Sequence, residues 1–158
     1  MPNEPKDLLR KLEEVFGGLE VPSAEELVDL GAGDVAPRLE IRARLLGRHW
    51  RDLSLADLQG EAFLLAFLAP AGFRFLLPAF IRTAILNYPE ANLVPMAVVW
   101  SLLPSESAAV EKQRLARIGL LSDQQREAVQ DFLRFLQRHH REDFSPEEIS
   151  QGMAALST

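Results

Sequence analysis

Three histidines and no cysteine limit the side-chain chemistry open to this chain. Without cysteine there is no disulfide, no thiolate metal site and no cysteine nucleophile. His139-His140-Arg141-Glu142-Asp143 is the one histidine cluster. If the helix there continued, His139 and Asp143 would stand at i, i+4 and His140 and Asp143 at i, i+3. Either pair could then hold a divalent ion. Adjacent histidines diverge by about 100° on a helix, so the two do not share one metal. The simpler reading is a solvated helix end, where His and Arg complement the dipole. No metal ligand is assigned.

His49-Trp50-Arg51-Asp52 is the second cluster. Asp52 could orient His49 as a general base. No nucleophile motif accompanies it: there is no G-x-S-x-G and no paired Ser/Lys signature. Trp50 then reads as a core anchor with its neighbours as rim, and no catalytic residue is assigned. Glu13-Glu14 and Glu147-Glu148 suit helix surfaces and starts rather than acid/base work. Gly31-Ala32-Gly33 has no strand before it and no lysine after it, so it reads as a turn and not as a phosphate loop. No cofactor is expected.

Two binding surfaces remain. Arg38, Arg42, Arg44, Arg48 and Arg51 form the densest positive patch, at helical spacings of i+3 and i+4. They could meet an acidic partner or a phosphate. The alternative is that they pair with Glu25, Glu26, Asp29 and Asp34 just before them. Phe75 falls off the expected helix face and could cover a protein interface. The second surface is an apolar pocket around Pro78, with Phe73, Phe75, Phe80 and Tyr88 as walls. A proline inside a helix withholds a donor from the carbonyl four residues back. Arg74, Arg82 and His49 would be the polar ends of such a pocket. The plain alternative is that these aromatics are core.

The elements that position these residues read as helices throughout. Leu8, Leu9, Leu12, Val15 and Phe16 give a helix over 6–16, ended by Gly17-Gly18. Asn3 or Asp7 could cap it. Ser23 with Glu26 forms a capping box that opens a short second helix. Asp34 or Pro37 starts a third, to about Arg48. Ser54 to Asp57 opens a short fourth. Residues 61–68 read as a buried helix, and Ala69-Pro70 starts another. From Phe73 to Ile85 the apolar spacing is helical, with Pro78 marking a kink or the meeting of two helices. That segment ends near Asn87-Tyr88-Pro89. Helices follow over 92–103, over 105–118, from Ser122-Asp123 to His139 and from Ser145-Pro146. No segment alternates with period two, and no Asn-Gly or Asp-Gly hairpin turn occurs.

Phe73-Arg74-Phe75-Leu76-Leu77-Pro78-Ala79-Phe80 resembles an F-R-aromatic-x-L-P-A-aromatic block. Leu121-Ser122-Asp123-Gln124-Gln125, with Ala128-Val129 and Phe132-Leu133, resembles a later L-T/S-x-x-Q-x-x-A-V-x-x-F-L block. Trp50, Leu53 and Leu58 fit the same layout. Together, over about residues 40–137, these resemble a family of small bacterial proteins with no assigned function. The resemblance implies a stand-alone bacterial domain and carries no catalytic residue, cofactor or partner.

The expected fold is therefore all-α, one domain of seven to nine packed helices. Residues 1–34 form acidic N-terminal helices, 35–140 the core and 145–156 a C-terminal helix. The net charge of −6 argues against broad nucleic-acid binding, which needs a basic face. The longest apolar run, 93–103, contains Pro95 and is too short for a membrane span of ~20 residues. The start of the chain lacks a signal peptide's apolar stretch, so the expected compartment is the cytoplasm. The functional expectation is a non-catalytic adaptor that meets a protein partner or a second copy. A small-ligand protein or enzyme with a pocket near Pro78 is the alternative. Nucleic-acid binding through the arginine stripe is the weaker one.

Overall fold

The computed structural model describes residues 4–58, 64–88, 90–91 and 93–157. Among them are nine α-helices, three 3-10 turns and no strand. The helices are α1 (Glu4–Phe16), α2 (Ala24–Leu27), α3 (Val35–Leu45), α4 (Leu55–Leu58), α5 (Pro70–Asn87), α6 (Val94–Leu102), α7 (Ala108–Leu120), α8 (Asp123–His139) and α9 (Pro146–Leu156). The 3-10 turns are Leu30–Ala32, Trp50–Asp52 and Leu64–Phe67. None of the helices described is long and apolar enough to cross a membrane.

Local chemistry sets the helix starts. Ser23, Ser122 and Ser145 each accept from the backbone N–H three residues on. Glu26, Gln125 and Glu148 reach back to the serine N–H in return. Each box satisfies two donors that a helix start leaves free. Ser54 and Asp57 exchange the same bonds ahead of α4. Asp34 precedes α3 without a side-chain capping bond. Asp7 lies inside α1 and not at its cap, and Asn3 lies outside the described residues.

Two expectations change, and one pair of alternatives narrows. The helix expected over 61–68 is a 3-10 turn where it is described, Leu64–Phe67, and 61–63 lie outside the described residues. Ala69 is extended, at φ −68 and ψ 162, as a residue before proline must be, so no helix runs through it into α5. Of the two alternatives at Pro78, a kink or the meeting of two helices, the second is excluded, because α5 passes Pro78 as one helix of 18 residues. Phe75, expected outside the buried face, is only 2% exposed. The reason is α5's position. α1, α2, α4, α6, α7 and two of the 3-10 turns all pack on it, so it has no solvent face over most of its length. A helix apolar on all sides is a buried one.

α8 is the opposite case. Val129, Phe132, Leu133 and Leu136 are buried along one stripe against α1 and α9. α1 answers with Leu8, Leu12 and Phe16. Trp50, 1% exposed, joins this shared core and donates its indole N–H to the Phe16 carbonyl.

One backbone approach holds α2 against the start of α5. Ala69 N–H donates to Leu27 O at 3.0 Å. A Cβ on Gly72 would clash with Leu27 O and come within 2.9 Å of Leu27 Cα. Only glycine leaves this space, so Gly72→Ala forces the two helices apart. The expected loss of stability is about 1–3 kcal/mol, typical of overpacking. The midpoint of guanidinium unfolding measures it, and an unchanged midpoint would refute the close approach.

Candidate functional site

Most of the arginine stripe is spent inside the chain. Arg42 donates to Val28 O at 2.8 Å and Arg44 to Asp57 O at 2.9 Å. Arg48 grips the Asp57 carboxylate with two bonds of 3.0 Å. Arg51 donates to Gly17 O, pairs with Glu13 and lies over the Trp50 ring. The acids expected to neutralise the stripe are mostly engaged elsewhere. Glu26 serves its capping box, Asp29 accepts from Gly31 N–H, and Asp34 offers Arg38 its carbonyl rather than its carboxylate.

His49 is not aimed by Asp52. Its Nδ1 accepts from the Arg51 N–H at 3.1 Å, capping the Trp50–Asp52 turn. Its ring meets Phe75 edge-on at 5.3 Å. Phe73 and Pro78 are buried in α5. Arg74 and Phe75 do line an open groove of about 240 Å³, beside Gly18–Pro22, Glu26 and Ala71. His49, Phe73, Pro78 and Arg82 are not in its wall. Arg82 is half-buried.

The C-terminal histidines are likewise engaged. His139 Nε2 lies 2.6 Å from Glu4 Oε1, and Arg138 binds the other oxygen of that buried carboxylate. His140 stacks on Tyr88, whose hydroxyl donates to Asp143 at 2.6 Å. Burial lowers the His140 pKa and raises that of Tyr88. Among the described residues no cluster of three or more potential ligands is arranged for a metal.

A different site emerges where α2, α3, the Leu64–Phe67 turn, the start of α5 and α7 meet. It is a cleft of about 310 Å³ whose wall includes Arg38, Arg117, Glu25, Asp29, Phe67 and Pro70. Arg38 and Arg117 are each only 5% exposed. Arg38 Nη1 donates to Asp34 O at 2.9 Å, and its guanidinium lies 5.2 Å over the Phe67 ring. Arg117 Nη1 donates to Ala66 O at 2.8 Å and Leu65 O at 3.3 Å, and the group lies 5.9 Å over Phe73. Neither arginine has a carboxylate partner among the described residues. The Nε of each is buried without an acceptor. Burial, and then the Arg38 charge, depress the Arg117 pKa. Arginine stays protonated regardless, so two cations share this wall with no direct ion pair among the described residues, and the exposed Glu25 and Asp29 line the same cleft. Ala69 and Pro70, the start of α5, line the same cleft and add the positive end of a long helix.

Arg38 belonged to the expected arginine surface, but its place is inside a cleft wall. Arg117 was missed altogether. Its signal is an inversion on α7, where Arg114 and Arg117 are buried while Val110 and Leu115 are exposed. Arginines at i, i+3 beside Ile118 mark that face only once the neighbouring carbonyls are known.

A model for a family of unknown function, DUF6714, matches residues 5–155. The chain belongs to this family. The matched span contains every residue of the cleft wall. No curated protein and no solved structure matches the chain.

The Arg48–Asp57 pair has a measurable pH signature. The Arg48 bonds, then the Ser54 N–H, hold the Asp57 carboxyl at about 2, against 3.8 when free. A depressed folded pKa stabilises above the free value and is lost as pH falls through the folded one. Asp57→Asn should therefore cost on the order of 1 kcal/mol at neutral pH. The gap to the parent should close between about pH 4 and pH 2, read from urea unfolding across that range. A gap independent of pH would refute the assignment.

Proposed function

We propose that this protein binds a small anionic ligand in the cleft walled by Arg38 and Arg117. One observation carries the reading: two guanidiniums, each nine-tenths buried or more, face one cavity with no carboxylate bonded to either among the described residues. Taking an unpaired charge out of water costs several kcal/mol. An oxyanion in the cleft offsets that with charge-assisted bonds strengthened by the low local dielectric. Each arginine is fixed through Nη1 and by an aromatic face, so little ordering remains to be done on binding. The volume, about 310 Å³, lies at the small end of the roughly 300–1,000 Å³ that ligand sites occupy.

Among the described residues the wall contains glutamate, aspartate, arginine, glutamine and apolar residues, but no serine, histidine or lysine. That composition supports binding over nucleophilic catalysis. This reading keeps the small-ligand alternative and moves it from Pro78 to the start of α5. A cysteine-free chain also suits a cytoplasmic, reducing setting.

Adaptor function remains as a second reading on a separate observation. Val35, Leu39 and Leu46 are 48%, 49% and 44% exposed. They fall within a narrow arc on and just past α3. A protein partner would then rest on this apolar strip and not on the arginines, each of which already binds main-chain or side-chain oxygens of this chain. Substituting Leu39→Glu would abolish such a contact and leave anion binding intact.

Thermal unfolding with inorganic phosphate tests the main reading. Phosphate at about 100 times its dissociation constant should stabilise the native state by ~2.7 kcal/mol. Arg38→Met and Arg117→Met should each weaken that binding tenfold or more, a difference of ~1.4 kcal/mol. The proposal fails if phosphate, sulfate and simple carboxylates all leave the parent protein's unfolding temperature unchanged.

A further inference from the structure

We infer that the ligand of this cleft is a small zwitterion, with an oxyanion on Arg38 and Arg117 and a protonated amine toward Glu25 and Asp29. This rests on the anion-binding reading above and adds the ligand's second end.

The cleft sorts its charges by depth. The two guanidiniums are almost wholly buried, whereas Glu25 and Asp29 line the same cleft and are exposed. Opposite charges this near usually collapse into ion pairs. Among the described residues none forms between these four side chains. Arg38 and Arg117 spend Nη1 on main-chain oxygens instead. Asp29 Oδ1 accepts from the Gly31 N–H at 2.9 Å, and its other oxygen accepts no bond among the described residues. The Glu25 carboxylate likewise accepts none. Both signs of charge therefore stand ready for a ligand that carries both.

The fold holds the two ends apart. Glu25 sits in the first turn of α2, and α2 is clamped to the start of α5 by the Leu27–Gly72 approach and the Ala69–Leu27 bond. Arg117 is tied to the Leu64–Phe67 turn that leads into α5. Acid and arginine are thus carried by different elements that meet at the same helix start, with Phe67, Ala69 and Pro70 as an apolar stretch of wall. Such a wall suits a short carbon linker between two charged groups.

Charge also decides what the cleft holds less tightly. A bare anion such as inorganic phosphate still reaches the arginines but passes two carboxylates that weaken its binding, and the backbone of a nucleic acid meets the same pair. Like charges at a mouth are a common device for rejecting a wrong ligand. An ammonium converts that repulsion into attraction.

Titration calorimetry on the full chain, with two matched pairs of probes, tests this. Phosphoethanolamine is compared with ethyl phosphate, and β-alanine with propionate. Each pair shares its oxyanion and differs in the amine. In at least one pair the amine-bearing probe should bind about tenfold tighter, and which pair responds identifies the head group. The double variant Glu25→Gln, Asp29→Asn should erase that preference. It should leave ethyl phosphate or propionate bound as well as before, or better. Both residues are exposed, and asparagine keeps the oxygen that Gly31 uses. Equal binding within both pairs overturns the zwitterion inference while leaving the anion site standing, and so does a preference that survives the double variant. Failure of every probe, inorganic phosphate included, overturns both.

Discussion

Every helix that stops leaves carbonyl oxygens without partners, and a chain of short helices has many such ends. This protein satisfies a large share of them with side chains from distant segments. The last turn of α1 receives Gln125 on Val15 O, Trp50 on Phe16 O and Arg51 on Gly17 O. Arg114 reaches Leu102 O at the end of α6. Arg126 covers Ile118 and Leu121 at the end of α7. Arg42 and Arg44 do the same after α2 and within α4. A hydrogen bond to a charged group contributes about 1.5–3 kcal/mol, more than a neutral one. These bonds also tie together elements far apart in sequence.

The dominance of arginine over lysine, fourteen of seventeen cations, follows a structural logic in this setting. A planar guanidinium can donate to a carbonyl at one edge, lie on an aromatic face and still have donors left over. Lysine offers one point of charge and no face. Arg38 and Arg117 use all three properties at once. Arg117 closes the Leu64–Phe67 turn and Arg38 holds the Asp34 carbonyl ahead of α3, and because the cleft opens beside them they also become a recognition surface. The same requirement that main-chain carbonyls find donors thereby supplies the candidate site.

α5 is the frame for this arrangement. Its flanks are covered by neighbours over most of its length, so its start is a fixed point on which α2, the Leu64–Phe67 turn and α7 converge. Gly72 sets how closely α2 approaches, and Pro70 sets where α5 begins. Sequence similarity adds the family and its span, 5–155, and leaves function to the geometry.

By itself the sequence determined the helical class and most of the helix boundaries. Ser23, Ser54, Ser122 and Ser145 announced their helices because a cap involves residues no more than three apart. Pro70 and the Asn87-Tyr88 stop were legible for the same local reason, as was the buried stripe of α8, which has one core-facing side. Phe75 was not legible, because period 3.6 separates inside from outside only on a helix that has an outside. The Leu64–Phe67 turn was not, because an apolar run reads alike as helix or turn. Arg117 was the furthest from reach. Its partners are carbonyls some fifty residues away, and an arginine in a sequence looks solvated until the chain brings those oxygens to it. Tertiary structure alone decided which arginines went inside, because burial of a charge depends on acceptors that sequence neighbours do not provide.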